Sequence, residues 1–257
     1  MAIGGNGTCA GIKSLSKLLE SDGTIQSFFI PVTIDSDIHG TECIGQHTAV
    51  EAGSEKIRGY VADAYTHQRA YLIEMMGADG GFHALHSCIG AGAHYAALKE
   101  PLPDEELRRV AMAITERRST VVVVAEGYAR SLRQQLQSEL GSLTPTSSGR
   151  PEMAALSSAS AFLHWQLQQT GCLGAKKVVC EPFSRDIRGA APNNLDTFLS
   201  QVMARQVVRL SMAESAAGQI KPAMPSVLSG KVASIPFDDL VTDNTVDPET
   251  LSLADNL

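Results

Sequence analysis

The sequence predicts an α/β fold in which parallel sheets are flanked by helices, and three observations support this class. Thr120–Ala125 is a continuous, mostly β-branched run, which is typical of parallel strands buried on both faces. An apolar run from Phe28 ends at Pro31, and two acids, Asp35 and Asp37, follow it; open α/β sheets bind ligands at this end of their strands. A glycine-rich turn at residues 4–8 joins a short strand to a helix, where free backbone N–H groups attract anions.

The first half of the chain alternates between the two kinds of element. We expect Thr8 to be the N-cap of a helix that carries Ile12 and Leu15 on its apolar face. A strand is predicted at residues 26–30. A long helix is predicted at 44–66, because apolar residues recur there at helical spacing, and a strand is predicted at 70–74.

Farther along the chain, a helix is predicted after Pro103, because acids fill its first turn and Arg117 and Arg118 its last. The polar, Ser/Thr-rich residues 141–151 predict a surface loop. The other elements are predicted as helices at 82–93, 128–140, 154–169 and 194–217 and strands at 95–98, 120–125, 177–180 and 230–237.

Composition excludes some classes of partner. The formal net charge is −7, and no stripe of Lys or Arg provides a footprint for nucleic acid. No apolar run is long enough to span a bilayer, and no signal peptide is recognisable. We therefore expect a cytoplasmic protein that binds neither nucleic acid nor membrane. The scattered cysteines have no metal-binding spacing and are expected to be reduced: Cys9, Cys43, Cys88, Cys172 and Cys180.

Asp35 and Asp37 have two interpretations. In an extended segment both side chains lie on one face, so one carboxylate can accept a proton from a hydroxyl while the other holds Mg²⁺. The alternative is a turn rich in Asp and Ser after a strand. The residues of this segment alone leave both possibilities open.

Two stretches together resemble the 6-phosphofructokinase family. That family has a Gly-Gly-Asp-Gly-Ser/Thr loop and a Pro-x-Thr-Ile-Asp-Asn-Asp segment. The corresponding residues here are Gly4, Gly5, Asn6, Gly7 and Thr8, and then Pro31, Thr33, Ile34, Asp35, Ser36 and Asp37, with Gly40 and Thr41 beyond them.

The resemblance implies a phosphofructokinase-like, three-layer αβα fold and Mg²⁺-dependent phosphoryl transfer to the 1-hydroxyl of fructose 6-phosphate. Asp35 is then the base, Thr33 positions the transferred group, and Asp37 holds the sugar or the metal. The glycine-rich loop binds phosphates of the donor, and Asn6 stands where the family has a metal-binding aspartate. Because Gly7 and Val32 replace an acid and a lysine typical of pyrophosphate users, ATP is the expected donor.

The resemblance also implies sugar-phosphate ligands in the remainder of the chain. Each has a structural alternative. For Arg69 it is a solvated position at a helix end, and for Glu126 it is a strand-end turn. Ala78 departs from the family, which has an arginine there. The implied ligands are Arg69, Met76, Gly77, Glu126, Arg185 and Arg188.

In members of that family, a nucleotide-binding portion comes before the position that Met1 occupies here. The resemblance therefore implies an N-terminally truncated fold, which we expect to be inactive by itself. Residues 1–125 are predicted to form the rest of the donor domain, 126–240 the sugar-phosphate half, and 241–257 a frayed tail. The family implies a homo-oligomer, a dimer or tetramer, with shared active sites. The alternative is a non-catalytic paralogue or incomplete subunit that binds phosphorylated ligands or a partner chain.

Overall fold

The computed structural model of the chain describes residues 1–19, 25–77, 80–141, 153–183, 185–217 and 221–242. Two compact units divide these residues. The first unit contains residues 1–49 and 190–242, and the second contains residues 50–189. The expected division at residue 125 differs from these bounds, because the chain leaves the first unit within a long helix and returns to it after residue 189.

Nine strands are found in the described residues. They are β1 Ala2–Gly4, β2 Phe29–Thr33, β3 Ile44–Gly45, β4 Ala70–Met75, β5 Tyr95–Ala97, β6 Thr120–Ala125, β7 Val178–Phe183, β8 Ala223–Leu228 and β9 Lys231–Pro236.

The helices of the same residues lie between these strands. They are α1 Asn6–Leu19, α2 Gln46–His67, α3 Phe82–Ala91, α4 Asp104–Glu116, α5 Arg130–Gly141, α6 Met153–Leu156, α7 Ala159–Gln169, α8 Arg185–Arg188 and α9 Asn194–Ala217, with a 3₁₀ turn at Phe237–Asp239. None of these helices combines the length and the apolar character needed to cross a membrane.

The first unit is built on a parallel sheet in the order β1-β2-β3. Ile30 of β2 pairs with Ile3 of β1, and Val32 pairs with Ile44 of β3. The antiparallel hairpin β8–β9 belongs to the same unit. Apolar side chains from the sheet, α1, the hairpin and the 3₁₀ turn form its core, which includes Cys9, Ile12, Phe29, Ile38, Cys43, Met224, Phe237 and Leu240.

The second unit is built on a parallel sheet in the order β5-β6-β4-β7. Strands β4 and β6 are its two inner strands, and Met75 at the end of β4 pairs with Ala125 at the end of β6. All six residues of β6 are buried, as the β-branched run predicts. The carboxyl ends of β4 and β6 therefore lie side by side.

Most predicted elements are confirmed, and some of their bounds differ. The predicted bounds of β6 and α9 match the structure. Strand β2 extends to Thr33 rather than ending at Ile30, because Val32 and Thr33 pair with β3. The expectation that Thr8 caps α1 is wrong, because the helix already begins at Asn6. Strand β8 was not predicted. The loop was predicted at 141–151, but residue 141 ends α5. The rest of that loop and most of the predicted tail lie outside the described residues.

Candidate functional site

The glycine loop, residues 4–8, connects β1 to α1 in the first unit. A Cβ atom added at Gly4 would collide with the side chain of Thr8. A Cβ atom at Gly5 would lie 3.3 Å from the Cβ atom of Thr33. The absence of a side chain at Gly5 thus allows the loop to approach the end of β2 closely, and its absence at Gly4 leaves room for Thr8.

The acid segment, residues 31–37, contains the end of β2 and the turn after it. The Oγ1 atom of Thr33 accepts a hydrogen bond of 3.1 Å from the backbone N–H of Asp35. Ser36 then adopts a left-handed conformation, with φ of 52°, which turns the chain. Asp35 is partly exposed after this strand, whereas Asp37 is buried with 4% of its surface exposed.

The side chain of Asn6 forms a hydrogen bond with the carboxyl group of Asp37. Burial raises the pKa of Asp37, and this effect outweighs the hydrogen bonds from its own backbone N–H and from Asn6, which lower the pKa. The Oδ1 atom of Asp37 is buried and has no hydrogen-bond partner. Asn6 and Asp37, predicted from two separate motifs, are therefore in direct contact.

Two buried cysteines lie near Asp37. Burial, and to a smaller extent the charge of Asp37, raise the pKa of the Cys43 thiol to about 12. Burial also raises the pKa of Cys9, against the opposing effect of Lys13. Both side chains are thus neutral thiols at pH 7, and the surroundings of Asp37 are poorly solvated.

A buried carboxylate that sequence reasoning missed joins the starts of two helices in the first unit. Asp196 Oδ2 accepts hydrogen bonds from the backbone N–H of Thr48 (2.7 Å) and from its Oγ1 (2.5 Å). Asn193 Oδ1 caps α9 by accepting from the N–H of Asp196 at 2.9 Å. The Asn-x-x-Asp spacing could have identified this cap. The tie to Thr48, 148 positions away, has no local signal.

In the second unit, three of the predicted sugar ligands follow the adjacent ends of β4 and β6. Met76 and Gly77 follow β4, Glu126 follows β6, and the N–H of Glu126 donates to the carbonyl of Met75 at 2.8 Å. Gly77 has a φ of 137°, and a Cβ atom there would lie 2.9 Å from the His83 ring. Only glycine fits this position. Ala78 lies outside the described residues.

A polar cleft of about 390 Å³ opens beside Glu126. The carboxylate of Glu74, which sequence reasoning did not select, also lines it. Glu74 Oε2 accepts hydrogen bonds from Ser158 Oγ (2.5 Å) and from the N–H of Ser160 (3.0 Å), at the start of α7. The other lining residues are Arg130, Arg133, Gln134, Gln137, Leu156 and Ser157.

The three predicted arginines lie in the second unit. Arg69 follows α2, and its Nε atom is 4.0 Å from Asp63 Oδ2. The hydroxyl of Tyr71 donates to the same oxygen and, ahead of the charges of His67 and Arg69, lowers the pKa of Asp63. Arg188 is exposed in the short helix α8, whereas the side chain of Arg185 is not among the described parts of the structure.

The predicted residues thus divide between the units. The first unit holds the glycine loop and the acid segment, and the second holds the predicted sugar ligands. The profile of the family named Phosphofructokinase matches residues 1–211.

The chain belongs to the phosphofructokinase family. It is 34% identical over 148 residues to the ATP-dependent 6-phosphofructokinase of Coxiella burnetii, covering 55% of this chain and 44% of that protein. It is 29% identical over 265 residues to the ATP-dependent 6-phosphofructokinase of Cytophaga hutchinsonii, covering 100% of this chain and 68% of that protein. Against several of its curated phosphofructokinase relatives, the match spans less than half of the relative's length.

Solved phosphofructokinases share the fold. The phosphofructokinase from Saccharomyces cerevisiae matches 99% of this chain and 32% of its own, with a TM-score of 0.67 and 20% identity. A pyrophosphate-dependent phosphofructokinase from Nitrosospira multiformis matches 96% of this chain and 60% of its own, with a TM-score of 0.71 and 14% identity. The predicted phosphofructokinase-like α/β fold, with parallel sheets flanked by helices, is therefore confirmed.

Proposed function

We propose that the protein is a 6-phosphofructokinase that transfers a phosphoryl group from ATP to the 1-hydroxyl of fructose 6-phosphate, giving fructose 1,6-bisphosphate. The supporting observation is the close approach of the glycine loop to the acid segment. Gly5 lies against Thr33, and Asn6 forms a hydrogen bond with Asp37. Groups that bind phosphate and groups that bind the acceptor hydroxyl thus share one end of one sheet.

Asp35 is the base in this proposal. It is a partly exposed carboxylate just beyond a strand end, and the hydrogen bond from its N–H to Thr33 fixes the turn that carries it. Thr33 belongs beside the transferred group, because the glycine loop approaches it. Phosphoryl transfer depends mainly on positioning and on neutralising charge, which such a site can supply.

Mg²⁺ is implied by the family, and Asp37 fits it. Its buried Oδ1 atom is an oxygen ligand without a partner, and Mg²⁺ is commonly held by one or two carboxylates together with substrate phosphates. No group of three or more His, Cys, Asp or Glu side chains in the described ranges could hold a metal on its own. When bound, the ion would neutralise phosphate charge. We assign Asn6 to holding the Asp37 carboxylate rather than to ligating the metal.

The sugar phosphate is assigned to the second unit. Glu126 accepts hydrogen bonds from sugar hydroxyls beside Met76 and Gly77, with which it shares the ends of β4 and β6. The phosphate is assigned to the guanidinium groups of Arg69, Arg185 and Arg188, because arginine offers paired donors to phosphate oxygens. We propose that the working enzyme is a homo-oligomer with shared sites.

The names of the relatives support ATP as the donor, since those proteins are ATP-dependent 6-phosphofructokinases. One observation favours a second function, a non-catalytic paralogue or incomplete subunit that binds phosphorylated ligands or a partner chain. Asn6 replaces a carboxylate with an amide, and its side chain already bonds to Asp37.

A turnover assay separates these two functions. The chain is purified alone, and also after co-expression with the nucleotide-binding portion of a curated relative, and is given fructose 6-phosphate, Mg²⁺ and either ATP or pyrophosphate. We expect turnover in the co-expressed sample, faster with ATP than with pyrophosphate. Binding of fructose 6-phosphate without turnover in any sample would favour the non-catalytic function.

A further inference from the structure

The Glu126 turn, residues 126–129, connects β6 to α5 and is held at several points. The N–H of Tyr128 donates to the carbonyl of Ala125 at 2.9 Å, and the N–H of Ala129 donates to the carbonyl of Lys99 at 2.8 Å. Ala129 adopts a left-handed conformation, with φ of 50°. A non-glycine residue enters this region only where its surroundings impose it. The backbone that carries Glu126 is therefore tightly specified.

Tyr128 anchors the turn through its buried side chain. Its ring is fully buried, and its hydroxyl accepts from the N–H of Leu102 at 3.1 Å and donates to Gln166 Oε1 at 2.7 Å. Burial raises the pKa of Tyr128 to about 12, so the hydroxyl remains neutral. This anchor fixes Tyr128 but does not bond to any polar group of Glu126.

Arg133 bonds directly to the turn. Its side chain is buried, with 8% of its surface exposed. Nη2 donates to the carbonyl of Glu126 at 2.6 Å, and Nε donates to the carbonyl of Tyr128 at 3.0 Å. Burying a guanidinium costs free energy unless its N–H groups form hydrogen bonds. Here two of these groups donate to carbonyls of one turn.

The peptide groups on either side of the Glu126 Cα atom are thereby fixed to different elements. Its N–H donates to the carbonyl of Met75 at the end of β4, and its carbonyl accepts from Arg133 of α5. These two peptide groups set the direction of the Glu126 Cα–Cβ bond, from which the side chain extends. Arg133 also lines the cleft beside Glu126, so it lies close enough to act on that side chain through the backbone.

We propose that Arg133 is a positioning residue that holds the Glu126 carboxylate in the direction needed to bind a polyhydroxylated ligand, the sugar of a sugar phosphate. This inference rests on the proposed function of Glu126. Arg133 acts on Glu126 through the turn, to whose carbonyls it bonds. Lysine cannot replace it fully, because one ammonium group cannot reproduce the fork that bonds to both carbonyls.

The test compares Arg133→Met and Arg133→Lys with Arg108→Met, which changes an exposed arginine of α4 in the same unit. Hydrogen exchange of the amides of residues 127–130 reports on the turn, and calorimetric titration with fructose 6-phosphate reports on binding. The titration is repeated in a Glu126→Gln background. Circular dichroism selects folded variants, and Arg133→Lys serves if Arg133→Met does not fold.

We expect Arg133→Met to speed exchange of the turn and to weaken binding of fructose 6-phosphate by about tenfold to a hundredfold, the range for one hydrogen bond to a charged group. Arg133→Lys should restore part of the affinity, and Arg108→Met should change neither reading. In the Glu126→Gln background, Arg133→Met should have almost no further effect on binding, because the group it positions is already altered.

Exchange of the turn that is unchanged in Arg133→Met overturns the proposal, and so do effects on binding that add fully to those of Glu126→Gln. A wild-type protein that does not bind fructose 6-phosphate overturns the proposed function, and with it the ligand assigned to Glu126. In that case the exchange experiment still decides whether Arg133 holds the turn.

Discussion

Replacing Asp196 with alanine should destabilise the first unit, because this side chain holds the starts of α2 and α9 together. Its Oδ2 atom is the acceptor for the N–H and the hydroxyl of Thr48, and 1% of the residue is exposed. Hydrogen bonds to a charged group contribute about 1.5–3 kcal/mol each. Removing a buried carboxylate also removes its desolvation cost, so we expect a net loss of about 3 kcal/mol.

Urea unfolding measures this loss. With a denaturant slope of about 3 kcal/mol per molar urea, the midpoint should fall by about 1 M. Asp239→Ala is the matched control, because Asp239 is an exposed aspartate of the same unit. The variants Asp196→Ala and Thr48→Val should be non-additive when combined, because both remove the hydrogen bond from the Thr48 hydroxyl to Asp196. Equal midpoints for Asp196→Ala and the control would refute this reasoning.

Three further predictions concern the site and its surroundings. Asp35→Asn should lower turnover by about 10²–10⁴-fold, the usual contribution of a positioned base, with a much smaller change in fructose 6-phosphate binding, and unchanged turnover would exclude Asp35 as the base. Asn6→Asp places a second carboxylate beside Asp37, so excess Mg²⁺ should raise its urea midpoint more than that of the wild type, and equal effects would contradict the assigned role of Asn6. Burial lowers the pKa of His83 from 6.5 to about 4. Between these two pH values His83 is protonated in the unfolded chain but neutral in the folded chain, so the free energy of unfolding should fall as the pH falls over this range. His83→Gln should flatten that slope in urea titrations from pH 7 to 4.5, whereas His39→Gln, at an exposed position, should not.

Some of the fold could be predicted because its signals are local. The valine run of β6, residues 121–124, contains no polar residue. A strand that is buried on both faces of a parallel sheet requires such a run. The glycines at positions 4 and 5 and the acids at 35 and 37 were recognised as two motifs, and the structure brings both to the end of β2. Their contact follows from parallel pairing of β1 with β2.

The parts that were missed depend on distant partners. Strand β8 contains a proline and became recognisable only through its pairing with β9. Glu74 has the appearance of an ordinary strand residue, and its role depends on serines 84 and 86 positions away. The start of α5 was placed too early, at Tyr128, because nothing local shows that Ala129 is left-handed and that the helix begins at Arg130.

The proposal that Asp35 serves phosphoryl transfer to a sugar hydroxyl is tested most directly by ³¹P nuclear magnetic resonance of a reaction mixture. The co-expressed protein is incubated with ATP, Mg²⁺ and fructose 6-phosphate. We predict that the γ-phosphate resonance of ATP declines while a second phosphate ester resonance appears on the sugar at the 1-position, and that Asp35→Asn slows this change by about 10²–10⁴-fold. Release of inorganic phosphate without a new sugar ester, or an equal yield of the ester from Asp35→Asn, would contradict the proposal.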